Sequence, residues 1–221
     1  MERVMTDHGA RRLGTRAPQP VDPARPIAVK RDVHELVVDT DAAAFARAFR
    51  QAVTDPTSTF GLIRVKRPVE RMGRDFEVGE RFQGCFSLEL AAGRLSPWLA
   101  RILALPGARQ VVGWIEDGML SNYAEVVSIE ERPGDVHVLE YRYLEGTPIA
   151  GSSVFVIEPA GPGRCRVRQI FEYQEVNALA LGTFQSLGLK WHDGVVKMEI
   201  EQAAARAGAR VIEDTIPEAY R

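Results

Sequence analysis

The feature that most constrains the fold is a run of strand-like segments between residues 119 and 176. Residues 119–130, 136–144, 152–158 and 165–176 are typical of strands with one buried face. Short turns such as Arg-Pro-Gly-Asp and Ala-Gly-Pro-Gly separate several of them, and connections this short join antiparallel neighbours. The run therefore predicts an antiparallel meander.

A helical pattern follows the meander from about Ala178 to Ala207, and Gly208 suits its C-terminal stop. Three internal glycines lower the helix propensity of this segment, but its apolar period continues through them. The elements predicted upstream are strands at 33–39, 62–66 and 82–90, a helix capped by Thr40 or Asp41 and reaching Ala52, and a short helix at 97–105. The order of elements indicates a single α+β domain that ends in a long helix.

The chain divides into three parts on this interpretation. Residues 1–31 hold four closely spaced prolines and a net charge of +4, from seven Lys/Arg and three acidic residues, so we predict a flexible basic arm. Residues 32–208 carry nearly all the core-forming side chains and are predicted to form the domain. Residues 209–221 are predicted to be a C-terminal tail with one possible short strand at Arg210-Val211-Ile212. The arm is either a solvated tail or a docking segment for an acidic partner.

Charge, cysteines and hydropathy argue against several classes of function. The formal net charge of −2 gives no whole-chain reason to expect binding to nucleic acid or an anionic membrane. Cys85 and Cys165 are far apart, and the four histidines are scattered, so we predict reduced thiols and no metal or other cofactor. No apolar run of about 18 residues could span a membrane, and we expect a cytoplasmic location. The oligomeric state is left open.

The element order, together with the motif Glu145-Gly146-Thr147, Gly151 and Phe155-Val156-Ile157-Glu158, resembles the START/Bet v 1-like (SRPBCC) helix-grip superfamily, including its bacterial members of unknown function. The similarity covers about residues 32–207. It implies a curved antiparallel sheet that grips the C-terminal helix around an internal cavity. Members of the superfamily bind lipids, sterols, hormones or polyketides, and some are cyclases or dehydratases. The fold does not choose among these roles.

Strand alternation identifies the side chains that would face such a cavity, because aromatic residues share one face of each of the two relevant strands. The candidate ligand-binding residues are Tyr141, Tyr143, Gln169, Phe171 and Tyr173 on the sheet and Phe184, Gln185 and Trp191 on the helix. His137 shares the aromatic strand face. His192 lies at the edge of the apolar stripe of the helix, whereas Asp193 is placed on the opposite, solvated side.

Two functions of the cavity follow from this interpretation. The first is a carrier or sensor that binds an apolar, lipid- or polyketide-like molecule without catalysing a reaction. The alternative is a cofactor-free cyclase, dehydratase or isomerase in which His192 or His137 transfers a proton and Tyr141, Tyr143 or Gln169 holds a substrate oxygen. An ordinary packed core, with the tyrosine hydroxyls bonded to water or backbone, would explain the same pattern.

Overall fold

The computed structural model describes residues 13–55, 63–87, 121–176 and 189–215, together with scattered residues between 101 and 111. Within these residues the chain forms one antiparallel sheet of eight strands and two α-helices. The strands are β1 (Lys30–Val38), β2 (Ile63–Lys66), β3 (Arg81–Phe86), β4 (Ser121–Arg132), β5 (Val136–Tyr143), β6 (Ile149–Pro159), β7 (Cys165–Glu175) and β8 (Val211–Asp214). The helices are α1 (Ala42–Thr54) and α2 (Leu189–Arg206).

The sheet has the strand order β2-β3-β4-β5-β6-β7-β1-β8, and every neighbouring pair is antiparallel. The predicted meander is confirmed as β4 to β7, in which each strand pairs with the next along the chain. β1 then pairs with β7 on one side and with β8 on the other. The predicted C-terminal tail therefore contributes an edge strand of the sheet from Val211 to Asp214.

Helix α1 begins where the sequence places its cap. The Asp41 carboxylate accepts a hydrogen bond of 2.7 Å from the backbone N–H of Ala44, which satisfies one of the free donors of the first turn. Phe45 and Phe49 are fully buried on the face that packs against β5, β6 and β7. The helix ends at Thr54, just before the Asp55-Pro56 pair, because a proline disfavours the helical conformation of the residue before it.

Helix α2 packs against α1, β1 and β8. Its buried residues include Val196, Ile200 and Ala203, spaced for one side of a helix. The helix ends at Arg206, followed by Gly208 at a φ of +69°, close to the predicted stop. The predicted residues 178–188 of this helix lie outside the described part of the chain, as does most of the predicted helix at 97–105.

The N-terminal segment differs from the predicted flexible arm over residues 13–29. The Gln19 amide donates to the Ile149 carbonyl over 2.8 Å, and the buried Gln174 amide donates to the Ile27 carbonyl over 2.6 Å. These bonds hold the proline-rich backbone against the sheet, with a turn closed by the Arg25 N–H and the Asp22 carbonyl, and proline permits this path because it needs no N–H partner of its own. A proline-rich sequence thus disfavours a helix but still allows an ordered segment packed on the sheet.

Candidate functional site

The register of β5, β6, β7 and β1 aligns inward-facing side chains into rows across the sheet. Two such rows are Tyr141, Ser153, Phe171 and Asp32, and Leu139, Phe155, Gln169 and His34. Because directly opposite residues in antiparallel strands lie on the same face, each row joins apolar and polar groups from four strands. The two rows lead from an apolar pocket at one side to a polar cluster at the other.

The pocket lies between the sheet, α1 and α2 and has a volume of about 90 Å³. Most of its walls are apolar. Its lining residues are Phe49, Val53, Ile63, Val65, Phe76, Phe82, Gly84, Asn122, Ala124, Val126, Leu139, Tyr141, Tyr143, Phe155 and Glu199. Apolar walls with a few polar groups are typical of small-molecule sites.

Glu199 is the ionisable carboxyl group in this lining. It lies on α2, and its residue exposure is 8%. Desolvation by burial raises the pKa of Glu199 well above its ordinary value, because an ionised carboxylate is poorly stabilised away from water. The pocket therefore favours the neutral acid, which can donate one hydrogen bond as well as accept others.

Tyr141 and Tyr143 supply the hydroxyl groups of the pocket. The Tyr141 hydroxyl is hydrogen-bonded to Ser153 and Tyr143. Burial, aided by the charge that Glu199 would carry, raises the pKa of both tyrosines, so both remain neutral hydrogen-bonding groups. Ser153 also accepts a 2.9 Å bond from the Gln169 amide. A continuous set of hydrogen bonds therefore leads from the pocket towards Gln169.

A polar cluster, which we call the histidine cluster, consists of His34, Gln169, His192 and Asp193. His34 Nδ1 lies 2.9 Å from Gln169 Oε1, and His34 Nε2 lies 2.8 Å from Asp193 Oδ1. His192 Nε2 lies 3.3 Å from Gln169 Nε2, and His192 Nδ1 lies 3.8 Å from Asp193 Oδ1. The two imidazole centroids are 5.4 Å apart.

Burial and mutual contacts shift the pKa values of two members of this cluster. Desolvation lowers the pKa of His192 despite the nearby Asp193 carboxylate, which favours a neutral imidazole. Desolvation alone would raise the pKa of Asp193, but the adjacent imidazoles of His192 and His34 lower it overall. The cluster therefore combines an ionised carboxylate with a neutral imidazole in a largely dry setting.

The structure divides the residues predicted for the site between these two places. Tyr141 and Tyr143 line the pocket, and Gln169 and His192 belong to the histidine cluster. Phe171 stacks between Tyr173 and His192, at centroid distances of 4.5 and 4.3 Å.

The remaining predicted residues lie elsewhere. His137 is bonded to Asp135 at the β4–β5 turn, with Nε2 2.9 Å from the carboxylate, and does not line the pocket. Phe184 and Gln185 lie outside the described residues, as does the side chain of Trp191.

Sequence reasoning did not assign a site role to His34, Asp193 or Glu199. The helical pattern predicts Asp193 on the solvated side of the helix, but its side chain is only 16% exposed because β1 packs there and His34 bonds to it. His34 could have been found from its position on the inward face of a strand. Its partner lies 159 residues away, and no local spacing signals that contact.

Among the described residues, no helix is sufficiently long and apolar to cross a membrane. No protein-family model and no curated protein matches the sequence. Among solved structures, a hypothetical protein from Helicobacter pylori is 12% identical, with 84% of this chain and 90% of its own covered and a TM-score of 0.52. That likeness concerns the fold alone.

Two further solved structures have TM-scores of 0.49. Norcoclaurine synthase from Thalictrum flavum, a point mutant in complex with a transition-state analogue, is 12% identical, with 80% of this chain and 94% of its own covered. The Zhui aromatase/cyclase from Streptomyces sp. R1128 is 10% identical, with 82% and 94% covered. The antiparallel sheet packed against two helices is consistent with the helix-grip fold that the sequence resembles.

Proposed function

We propose that this protein binds an apolar, lipid- or polyketide-like small molecule in the pocket beside α2, as a carrier or sensor that catalyses no reaction. The observation that carries the proposal is the buried Glu199 carboxyl group in an otherwise mainly apolar wall. A carboxyl group that lines a mainly apolar pocket favours a bound molecule that offers it a hydrogen bond. The ligand therefore has an oxygen atom, as hydroxyl or carbonyl, at the end that enters the pocket.

The size of the pocket limits which part of the ligand it takes. A volume of about 90 Å³ is smaller than the roughly 300–1,000 Å³ of sites that enclose a whole drug-sized molecule. It suits one end of a ligand, such as an alkyl terminus or a single ring. Phe82, Phe155 and Leu139 provide apolar contacts for that end, and Tyr141 and Glu199 provide hydrogen bonds.

A pair of probes of the same shape tests the polar part of the proposal. Phenol and toluene differ by one hydroxyl group in place of one methyl group, and each is titrated into isotope-labelled protein while chemical shifts are followed by NMR. We expect phenol to bind about tenfold more tightly, since one hydrogen bond contributes roughly 1–1.5 kcal/mol. Glu199→Leu should remove this preference without preventing toluene from binding.

Filling the pocket tests its location. Ala124 is buried in the pocket wall, and Ala124→Leu adds volume there. Val154 is half-buried on the opposite face of β6, so Val154→Leu is a matched control. Native mass spectrometry of protein purified from its own host should show a retained small molecule in the wild type and in Val154→Leu, but not in Ala124→Leu. Equal retention by both variants would refute the pocket as the site.

A specific observation also favours a second function, acid–base catalysis by the same pocket. A carboxyl group whose pKa is raised by burial can serve as a general acid near neutral pH. Glu199 meets this description and lies beside Tyr141 and Tyr143, whereas neither His192 nor His137 lines the pocket. On this alternative, a cyclase, dehydratase or isomerase reaction would depend on Glu199. Glu199→Gln would then abolish turnover of a bound ligand while leaving its affinity within a fewfold of wild type.

A further inference from the structure

Three side chains of the histidine cluster present potential metal ligands to one point. One nitrogen of His34, one nitrogen of His192 and one oxygen of Asp193 all lie within 4.8 Å of one another. We propose that these three residues bind one divalent transition-metal ion, of the class represented by Zn²⁺ and Co²⁺. Two imidazoles and one carboxylate form a donor set suited to such ions rather than to Ca²⁺ or Mg²⁺.

The first support is the way His34 is oriented. Gln169 Oε1 lies 2.9 Å from His34 Nδ1, and Ser153 holds the Gln169 amide in turn. Metal-binding histidines usually donate their second ring N–H to such an oxygen, which fixes the ring and leaves the other nitrogen free for the ion. Here that other nitrogen, Nε2, makes a 2.8 Å hydrogen bond to the Asp193 carboxylate, and the bound ion would replace this contact by bonds to both groups.

The second support is the unpaired nitrogen of His192. Its Nδ1 is buried and has no hydrogen-bond partner in the part of the chain that the structure describes, and it lies 3.8 Å from Asp193 Oδ1. The ring is held by stacking on Phe171 at 4.3 Å. An ion between these atoms would supply the missing partner.

The distances suit a bound ion after small side-chain movements. Metal–ligand bonds of about 2.0–2.2 Å place neighbouring ligand atoms roughly 3–3.5 Å apart. The two histidine–aspartate separations of 2.8 and 3.8 Å lie on either side of this range, and all three ligand atoms lie within 4.8 Å of one another, so the ion would draw them closer together. Three protein ligands leave at least one coordination position for water or another small ligand. Because the ligands come from β1 and α2, the ion would also join the helix to the sheet.

Gln169 limits the affinity of the proposed site for the metal ion, and a substitution of Gln169 tests the proposal most sharply. When both rings bind the ion, His34 Nδ1 and His192 Nε2 both carry protons, but the amide oxygen faces only His34. The amide nitrogen lies 3.3 Å from His192 Nε2, and two N–H groups cannot bond to each other. Gln169→Glu replaces that nitrogen by a second acceptor oxygen at nearly constant volume. We expect this variant to bind the metal about tenfold more tightly or better.

The experiment uses the full chain without an affinity tag, stripped of metal by a chelator and titrated with Co²⁺ and then with Zn²⁺. We expect one ion per chain by elemental analysis and cobalt absorption bands typical of imidazole coordination. His34→Ala and Asp193→Asn should lose the tight site. His137→Ala is the matched control, because His137 also pairs with an aspartate, Asp135, but has no second histidine beside it.

Three results would overturn the metal site: no stoichiometric ion in the wild type, binding that survives His34→Ala and Asp193→Asn, or no gain with Gln169→Glu. Thermal unfolding with and without Zn²⁺ separates loss of the metal site from a general loss of stability in a variant. An ion bound to the native state raises the melting temperature, whereas a merely destabilised variant keeps this rise. That rise should occur in the wild type and in His137→Ala and disappear in Asp193→Asn. None of these measurements depends on the pocket ligand.

Discussion

Replacing Glu199 by glutamine should change the pH dependence of stability in a direction that the structure fixes. The carboxyl group is buried, and its pKa in the folded protein is raised well above the ordinary value. In the unfolded chain it ionises near its ordinary pKa of about 4.3. Between these two pKa values the unfolded chain binds fewer protons than the folded protein, so Glu199 lowers the free energy of unfolding as the pH rises.

The size of the effect follows from proton linkage. One proton of difference corresponds to about 1.4 kcal/mol per pH unit, and the loss begins near pH 4.3 and stops once the pH exceeds the folded-state pKa. Glu199→Gln removes the titration at nearly constant shape. We therefore subtract the free energy of unfolding of the wild type from that of the variant. This difference should be constant in acid and should rise by about 1.4 kcal/mol per pH unit above pH 4.3.

Urea unfolding at half-unit steps from pH 4 to pH 8 measures this difference. The amide introduced by Glu199→Gln adds its own desolvation penalty, but that contribution does not depend on pH, so the slope of the difference is the informative quantity. Glu201→Gln, at a half-exposed position on the same helix, controls for the loss of one negative charge. A flat difference, or one that falls as the pH rises, would refute the assignment of Glu199 as a buried neutral acid.

Two further substitutions test the packing around the site. Gly151 and Gly161 share a φ near +120°, but a Cβ atom at Gly151 would lie 2.1 Å from the Glu172 carbonyl oxygen, whereas one at Gly161 meets nothing within 4 Å. Gly161→Ala should therefore lower the free energy of unfolding by about 1–3 kcal/mol from backbone strain alone. Gly151→Ala should lower it clearly more. Equal losses for the two variants in chemical denaturation would contradict the steric argument. Glu80→Gln should destabilise the protein by about 3–5 kcal/mol, because Arg67 is 1% exposed and makes bonds of 2.6 and 3.0 Å to this carboxylate; a melting temperature equal to that of the wild type would refute a buried ion pair.

Local sequence signals were sufficient for most of the fold. The meander could be predicted because its strands are joined by short turns, so that pairing is between neighbours in the chain. The α1 cap could be predicted because Asp41 bonds to a backbone group three residues away. The path of residues 13–29 could not, since it depends on Gln19 and Gln174, whose bonding partners lie more than 100 residues away in the sequence.

The candidate site was accessible to sequence reasoning only in part. Alternation along β5 correctly placed Tyr141 and Tyr143 on one inward face, because the period of a strand is fixed by its backbone. A helix, by contrast, can be buried on more than one side, and a polar residue outside its apolar stripe need not face solvent. Asp193 lies on such a side because β1 covers it. The contact with His34 depends on tertiary packing, which a single helical pattern cannot show.

The position of β1 between β7 and β8 sets an order in which the molecule can be completed. β1 is synthesised before its partner β7, which follows 135 residues later at the His34–Gln169 pair. Closing so long a loop carries an entropic cost that the local hairpins of β4 to β7 avoid. We therefore expect β1 to join the sheet after the meander has formed, and the histidine cluster to be completed only when β1, β7 and α2 have come together.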